Sequence, residues 1–402
     1  MIRKILSERV SNLSESATLE MTRRSRELKA AGKDVINLSI GEPDFNTPEC
    51  VKDAAKKAID ENLTHYTPVS GFPELRQAIA EKFKRDNQLD YKAENIVVSN
   101  GAKQSIANAI LCLVDPGDEV LVPAPYWVSY PEIIKLAGGK IVELPTSIHS
   151  DFKVTPEQVE EAITEQTKVF IFSSPCNPSG SVYSAEELKA LAEVFSRHEN
   201  IFVISDEIYE YINFKGRHES IACYGNIKDR VITVNGVSKG FAMTGWRIGY
   251  IGAPAYLAKA CDTLQGQYTS GASSIAQMAS LKAVGTDPCT SEDLKKMLNA
   301  FRERRDLVIE KLRDIPGIKT NVPDGAFYIF PNVEAYFGKS KGGTQIKNSY
   351  DFCMYLLNSA HVATVPGMAF GNRACIRISY ATSSDVLIEA MERIKKALAE
   401  LQ

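Results

Sequence analysis

Short apolar runs alternate with segments of helical period through most of this chain. Runs at 96–99, 119–122, 140–144, 168–173, 201–204 and 231–234 are rich in valine, isoleucine and phenylalanine and predict buried strands. Between them apolar positions recur every three or four residues. Leu188, Leu191, Ala192 and Phe195, behind the capping signal Ser184-Ala185-Glu186-Glu187, are one such stripe. This alternation predicts an α/β unit whose mostly parallel central sheet is flanked by helices. After Ser291 the pattern changes to a long charged helix from Met297 to about Asp314. Strands near 319–322, 326–330 and 374–379 follow. A last helix carries Leu387, Met391, Ile394, Leu398 and Leu401 on one stripe. Near the start, Leu13, Ala17, Glu20, Met21 and Arg24 predict one partly apolar helical face, and 35–40 alternates like a strand. The expected organisation is an N-terminal arm with part of a small domain (1–47), a large domain (48–290) and a small α+β domain (291–402).

Composition narrows the function classes. The chain has 402 residues and a formal net charge of −3, which gives no electrostatic case for nucleic acid or an anionic membrane. No apolar run reaches membrane-spanning length, and Ser7, Glu8 and Arg9 interrupt the only candidate signal core, so the expectation is a cytoplasmic protein. The eight cysteines are scattered without a C-x-x-C pair, and the five histidines lack ligand spacing. Neither a disulfide framework nor a structural metal is expected. No G-x-G-x-x-G or Walker loop is present.

The candidate chemistry lies at the strand ends. Lys239 follows the 231–234 strand and the turn signal Asn235-Gly236, between the small residues Ser238 and Gly240. Arg247 stands between Trp246 and Ile248, an apolar setting in which a guanidinium needs an anion. A nucleophilic lysine with an arginine anion-holder suggests a phosphorylated aldehyde cofactor. A surface lysine followed by a structural arginine is the plainer alternative. Gly101-Ala102-Lys103 joins a strand to a helix start, an arrangement that can hold a phosphate. Trp127 can stack on a heterocycle or fill the core. Pro175 and Pro178 fix the backbone around Asn177, and either could follow a cis bond. Asp206, at the end of an apolar strand, needs a partner. Arg377, between isoleucines, needs an anion: a structural carboxylate or a substrate's. Asn177, Asp206 and the Lys239 loop end successive strands and can meet in one crevice.

Together, SNGAK (99–103), APYWVSY (124–130), SSPCNPSG (173–180), SDEIYE (205–210), NGVSKGFAMTGWRIGY (235–250) and CIRISYA (375–381) resemble the class I aminotransferases. These are fold-type I enzymes that use pyridoxal 5′-phosphate (PLP). The nearest likeness is to the bacterial aspartate aminotransferase branch often called Ib. It covers nearly the whole chain, with the motifs in family order. The resemblance implies the PLP-transferase type I fold and a homodimer with active sites at the subunit interface. It also implies amino acid and 2-oxo acid substrates and ping-pong transfer, most simply from L-aspartate to 2-oxoglutarate.

By that resemblance Lys239 is the Schiff-base lysine and Asp206 the partner of the pyridine nitrogen. Asn177 and Tyr209 bond the ring's phenolic oxygen. Gly101, Ala102 and Arg247 hold the phosphate, with Lys103 near that end. Trp127 stacks on the ring, Tyr66 reaches the phosphate from the partner subunit, and Gly41 and Arg377 hold the substrate's α-carboxylate. Two features depart from the family pattern. Gly236 stands where many relatives carry a phosphate-binding serine, so that contact is either absent or made elsewhere, Ser238 being one candidate. The segment 265–270 also offers no arginine to read a second carboxylate. A glutamate–prephenate, aromatic or kynurenine-type aminotransferase, or a β-lyase, is the rival on the same fold. A PLP-binding regulatory module is the rival of another class, and no DNA-reading segment accompanies it here. Cys176 is expected to be a spacer and not a nucleophile.

Overall fold

The computed structural model describes residues 5–402. Its centre is a seven-stranded sheet: β1 (Ile96–Ser99), β2 (Glu119–Ala124), β3 (Lys140–Pro145), β4 (Thr167–Ser173), β5 (Phe202–Asp206), β6 (Val231–Gly236) and β7 (Gly249–Gly252). The spatial order is β1-β7-β6-β5-β4-β2-β3, and only β7 runs against the others.

Side-chain alternation along these strands feeds two cores. Val98, Leu121, Phe170, Val203 and Val231 pack one face, against helices Glu49–Asp60, Pro73–Asn87, Ala185–Ser196 and Ser274–Val284. Val97, Val120, Ile171, Ile204 and Ile232 pack the other, against Ala102–Leu113, Tyr130–Ala137 and Ala255–Tyr268. Both faces are covered, so the inner strands are apolar without a polar alternation. The capping box at Ser184 forms as expected, its side chain accepting from Glu187 N–H.

A third core unites Glu292–Arg313, Ser349–Tyr355 and Ser384–Ala399 with Met21, Val35, Ile36 and Leu38 from the N-terminal segment. Its small antiparallel sheet is ordered Val365–Pro366, Ile376–Ser379, Tyr328–Ile329, while Ile36–Asn37 pairs in parallel with Val362–Ala363.

Several expected elements are shorter or differently placed. The 35–40 strand keeps only Ile36–Asn37, because the Asn37 side chain accepts from Ser39 N–H (2.9 Å) and Ser39 Oγ (2.7 Å) and bends the chain away. The 319–322 strand reduces to a single bridge between Lys319 and Asn332. Asn321 there bonds Asp151 across the molecule at 2.8 Å instead. The 326–330 strand begins only at Tyr328, since Ala326 has a φ of +57°. Asn235-Gly236 is not a turn: both residues lie in β6, paired with Tyr250 and Gly249 of β7, a strand the apolar pattern did not predict. The N-terminal helix spans Ala17–Ala30 and buries Met21 and Ser25. Leu13 lies outside it, and Glu20 and Arg24 pair on its surface at 2.8 Å.

Candidate active site

The carboxyl ends of β1, β2, β4, β5 and β6 open on one cavity of about 310 Å³. Loops after these strands bring Ala102, Lys103, Trp127, Asn177, Asp206, Tyr209, Ser238, Lys239 and Arg247 to its wall. Gly41, Tyr328 and Arg377 close it from the third core, and Ser16, Thr18 and Leu19 from the N-terminal helix. Ligands in open α/β sheets sit at this edge because the loops there diverge.

Lys239 reaches the cavity from the loop after β6, and its Nζ donates to the Gly41 carbonyl at 2.6 Å. Burial draws its ammonium down to about 8; Arg377 and Arg247 push the same way, against Glu42 and Asp206. Asp206 is buried at the tip of β5, where Tyr130 Oη donates to Oδ2 (2.8 Å) and Ile208 N–H to Oδ1 (3.3 Å). Burial raises its carboxyl to about 6 despite those hydrogen bonds.

Arg377 is 2 % exposed and stacks against Tyr328 and Phe370, 4.5 and 5.1 Å from their centroids. Its Nη2 donates to the Ser39 carbonyl (2.7 Å) and its Nη1 to Asn177 Oδ1 (3.0 Å). No carboxylate pairs with it among the described residues, and Nε has no partner. The alternative of a structural carboxylate is thereby removed. The Tyr209 and Tyr328 hydroxyls lie 2.9 Å apart, and burial holds the Tyr209 phenol well above its ordinary range.

At the strand–helix junction Gly101 has a φ of +83°, and a Cβ there would stand 2.1 Å from Arg247 Nη2. Ala102 and Lys103, which open the helix Ala102–Leu113, line the cavity, and their amides lack intrahelical partners by geometry. Arg247 differs from expectation. It is exposed, with a φ of +57° after a short turn, and bonds the carbonyls of Thr244 (2.9 Å) and Asn100 (3.3 Å). The left-handed backbone turns its guanidinium away from the apolar packing of Ile248. Lys103 Nζ lies 5.0 Å over the Trp127 ring, and burial with Arg247 nearby lowers its affinity for a proton. A side chain at 236 would meet Gly249 Cα and the Ile248 carbonyl, each at 2.9 Å, so a serine there has no room. Ser238, buried on the wall, remains.

Cys176 is buried with its thiol pushed upward by burial, and Ser174–Pro175 is the cis bond of that loop. Tyr66 does not line this cavity and is fully exposed. Tyr130, Tyr328, Ser16 and Thr18 were missed as site residues. Tyr130 had a signal, an aromatic opening the helix after a strand end. Tyr328 had none beyond its strand.

A family model described as Aminotransferase class I and II matches residues 33–394. This chain belongs to the class I and II aminotransferases. These enzymes work with pyridoxal 5′-phosphate, which the membership brings with it. Similar aminotransferases include a bifunctional aspartate aminotransferase and glutamate/aspartate-prephenate aminotransferase of Petunia hybrida, 49 % identical over 99 % of this chain and 83 % of its own. An aspartate/prephenate aminotransferase of Cereibacter sphaeroides is 46 % identical, covering 98 % and 99 %. The aspartate aminotransferase structure from Rhizobium meliloti superposes with a TM-score of 0.95 at 46 % identity, 99 % of each chain covered. That from Thermus thermophilus with maleate gives 0.92 at 40 %, covering 98 % and 99 %. Asn177, Asp206 and Lys239, which end successive strands, line one cavity.

Proposed function

We propose that this aminotransferase moves the amino group of L-aspartate to 2-oxoglutarate by ping-pong exchange, with Lys239 as the covalent anchor of the cofactor. The observation that carries the reading is Arg377, a buried guanidinium with an unpartnered Nε on the wall of the Lys239 cavity. A buried cation without an anion calls for one, and a substrate carboxylate meets its fork geometry.

The residues present fit the cofactor. The amides beyond Gly101, with Ser238 and Arg247, would hold its phosphate. Trp127 would lie against the ring, Asp206 would bond the ring nitrogen, and Asn177 and Tyr209 the phenolic oxygen. Bound there, pyridoxal 5′-phosphate supplies a carbonyl that bonds amines and a ring that draws electrons from the substrate's Cα–H bond. Lys239 Nζ, lowered to about 8, is suited to take and return a proton at that Cα near neutral pH. Tyr130 holds the Asp206 carboxylate in line, and Gly41 with Arg377 orients the substrate.

A second carboxylate has a reader that 265–270 lacks. Ser16, which makes no side-chain cap for the helix Ala17–Ala30, lines the cavity with Thr18 and Lys103, and the positive end of that helix with these side chains would hold a carboxylate. Prephenate as an alternative acceptor is the second reading, favoured by the paired names of the Petunia and Cereibacter relatives. Assay of aspartate, alanine and aromatic amino donors with 2-oxoglutarate and with prephenate tests both. Aspartate should lead; equal rates for apolar donors contradict the reading.

The homodimer belongs to this proposal. Exposed Leu6, Val10 and Leu19 of the arm and fully exposed Tyr66 support it, and light scattering at twice 44.3 kDa tests it. The division at residues 47 and 290 is proposed on the separate third core. A cytoplasmic setting is proposed on the absence, among the described residues, of any helix long and apolar enough to cross a membrane.

A further inference from the structure

On the reverse of the sheet from the cavity lies a polar cluster to which no role above is given. Alternation along β5 turns Ile204 and Asp206 to one face and Val203 and Ser205 to the other. Glu207, next in line, points away from the cavity. It is 1 % exposed, and its N–H is tied to the Val234 carbonyl at 2.9 Å. Oε1 accepts from Ser205 Oγ (2.8 Å) and Ser220 Oγ (2.6 Å), while Oε2 lies 2.9 Å from His218 Nε2. His218 is also buried, and its Nδ1 has no partner.

A carboxyl group with three polar partners in the core carries its charge only with compensation. It also adjoins Asp206, and two like charges so placed favour protonation of one. Among the described residues that bond Glu207, only His218 is able to carry positive charge. The other titratable groups are Tyr91 and Cys223 toward Glu207, and Tyr130, Tyr209 and Lys239 toward Asp206. Glu207 strengthens the hold of Asp206 on a proton, the direction in which burial already acts.

We infer that His218 and Glu207 are positioning residues: Glu207 fixes the Asp206 turn behind the sheet, and His218 offsets its charge, so that Asp206 stays ionised toward the cavity. The inference rests on the reading that Asp206 faces the cofactor's ring nitrogen. Protonation of Asp206 removes that partner and loosens the cofactor, so His218, by offsetting Glu207, holds down the pH at which cofactor is released on acidification.

The test measures that half-release pH in the holoenzyme, by filtration and visible absorbance from pH 8 to 4. Glu207→Gln removes the neighbouring charge and should lower it by about half a unit. His218→Phe leaves Glu207 uncompensated and should raise it by about as much. The double variant should return near the wild-type value. His218→Gln keeps a donor without the charge, and it should also raise the midpoint; it serves if His218→Phe does not fold. A merely structural pair would move both single variants the same way. Equal signs, or no movement beyond about 0.2 of a unit, overturn the inference. Borohydride labelling of Lys239 in the wild type is run alongside: an absent label rejects the cofactor reading itself, whatever the midpoints do.

Discussion

Two arginines border the cavity, and the fold holds them in opposite ways. Arg377 sits on a strand between two packed layers, stacked on aromatic rings, with two of its nitrogens fixed and the third idle. Arg247 stands on a left-handed turn in the open, bonded only to nearby carbonyls. Burial lowers the proton affinity of the Arg377 guanidinium. The difference teaches what each is suited to do. A desolvated fork discriminates by geometry and loses much when its partner is missing, while an exposed cation contributes attraction that salt screens.

The largest expected effect breaks the buried end. Arg377→Ala should lower kcat/KM by about 30-fold to several thousand-fold, as removal of one partner of a buried ion pair costs about 2–5 kcal/mol. Steady-state kinetics at two salt concentrations should find the loss unchanged by salt. Arg377→Lys should recover little, since a point charge cannot reproduce two fixed Nη contacts.

Asp206 belongs with Arg377 as a buried charge, and its substitution should move stability. Its carboxyl ordinarily titrates at 3.8 and here at about 6. The folded state therefore binds the proton more tightly than the unfolded one. The penalty for ionising it is complete above pH 6, shrinks as pH falls and is gone below about 3.8. Cofactor-free Asp206→Asn should be more stable than the wild type by up to about 3 kcal/mol at pH 8, with the gain lost near pH 4. Denaturant titrations at the two pH values measure it. The same variant should bind cofactor less well.

At the exposed end the effect should be smaller and soft. Arg247→Ala should weaken cofactor binding about 10-fold at low salt, from loss of charge-assisted hydrogen bonds, and less at high salt. Equilibrium dialysis gives both values; a salt-independent loss would mean that Arg247 acts through packing. Far from both arginines, Ser184→Ala should remove a helix cap at about 1 kcal/mol of stability and leave cofactor affinity alone.

The central sheet was legible because its strands are buried on both faces and its helices carry their own caps. The strand ends that form the site were legible for the same reason: Asn177, Asp206 and Lys239 each follow an apolar run. What was not legible depends on partners distant in the chain. β7 begins with Gly249, which packs on the Ala102 amide with no room for a side chain, so close approach and not an apolar run defines it. The 35–40 strand looked whole because the Asn37 turn competes locally with pairing. Arg247 and Arg377 each stand between apolar neighbours in the sequence, and it is the left-handed turn at Arg247 against the strand at Arg377 that sends one to solvent and the other inside.

The central claim is a covalent bond between Lys239 and the cofactor's aldehyde. Holoenzyme reduced with borohydride, digested and sequenced by mass spectrometry tests it directly. The account predicts a phosphopyridoxyl group on the peptide containing Lys239 and on no other lysine; an unlabelled Lys239, or a label elsewhere, contradicts it.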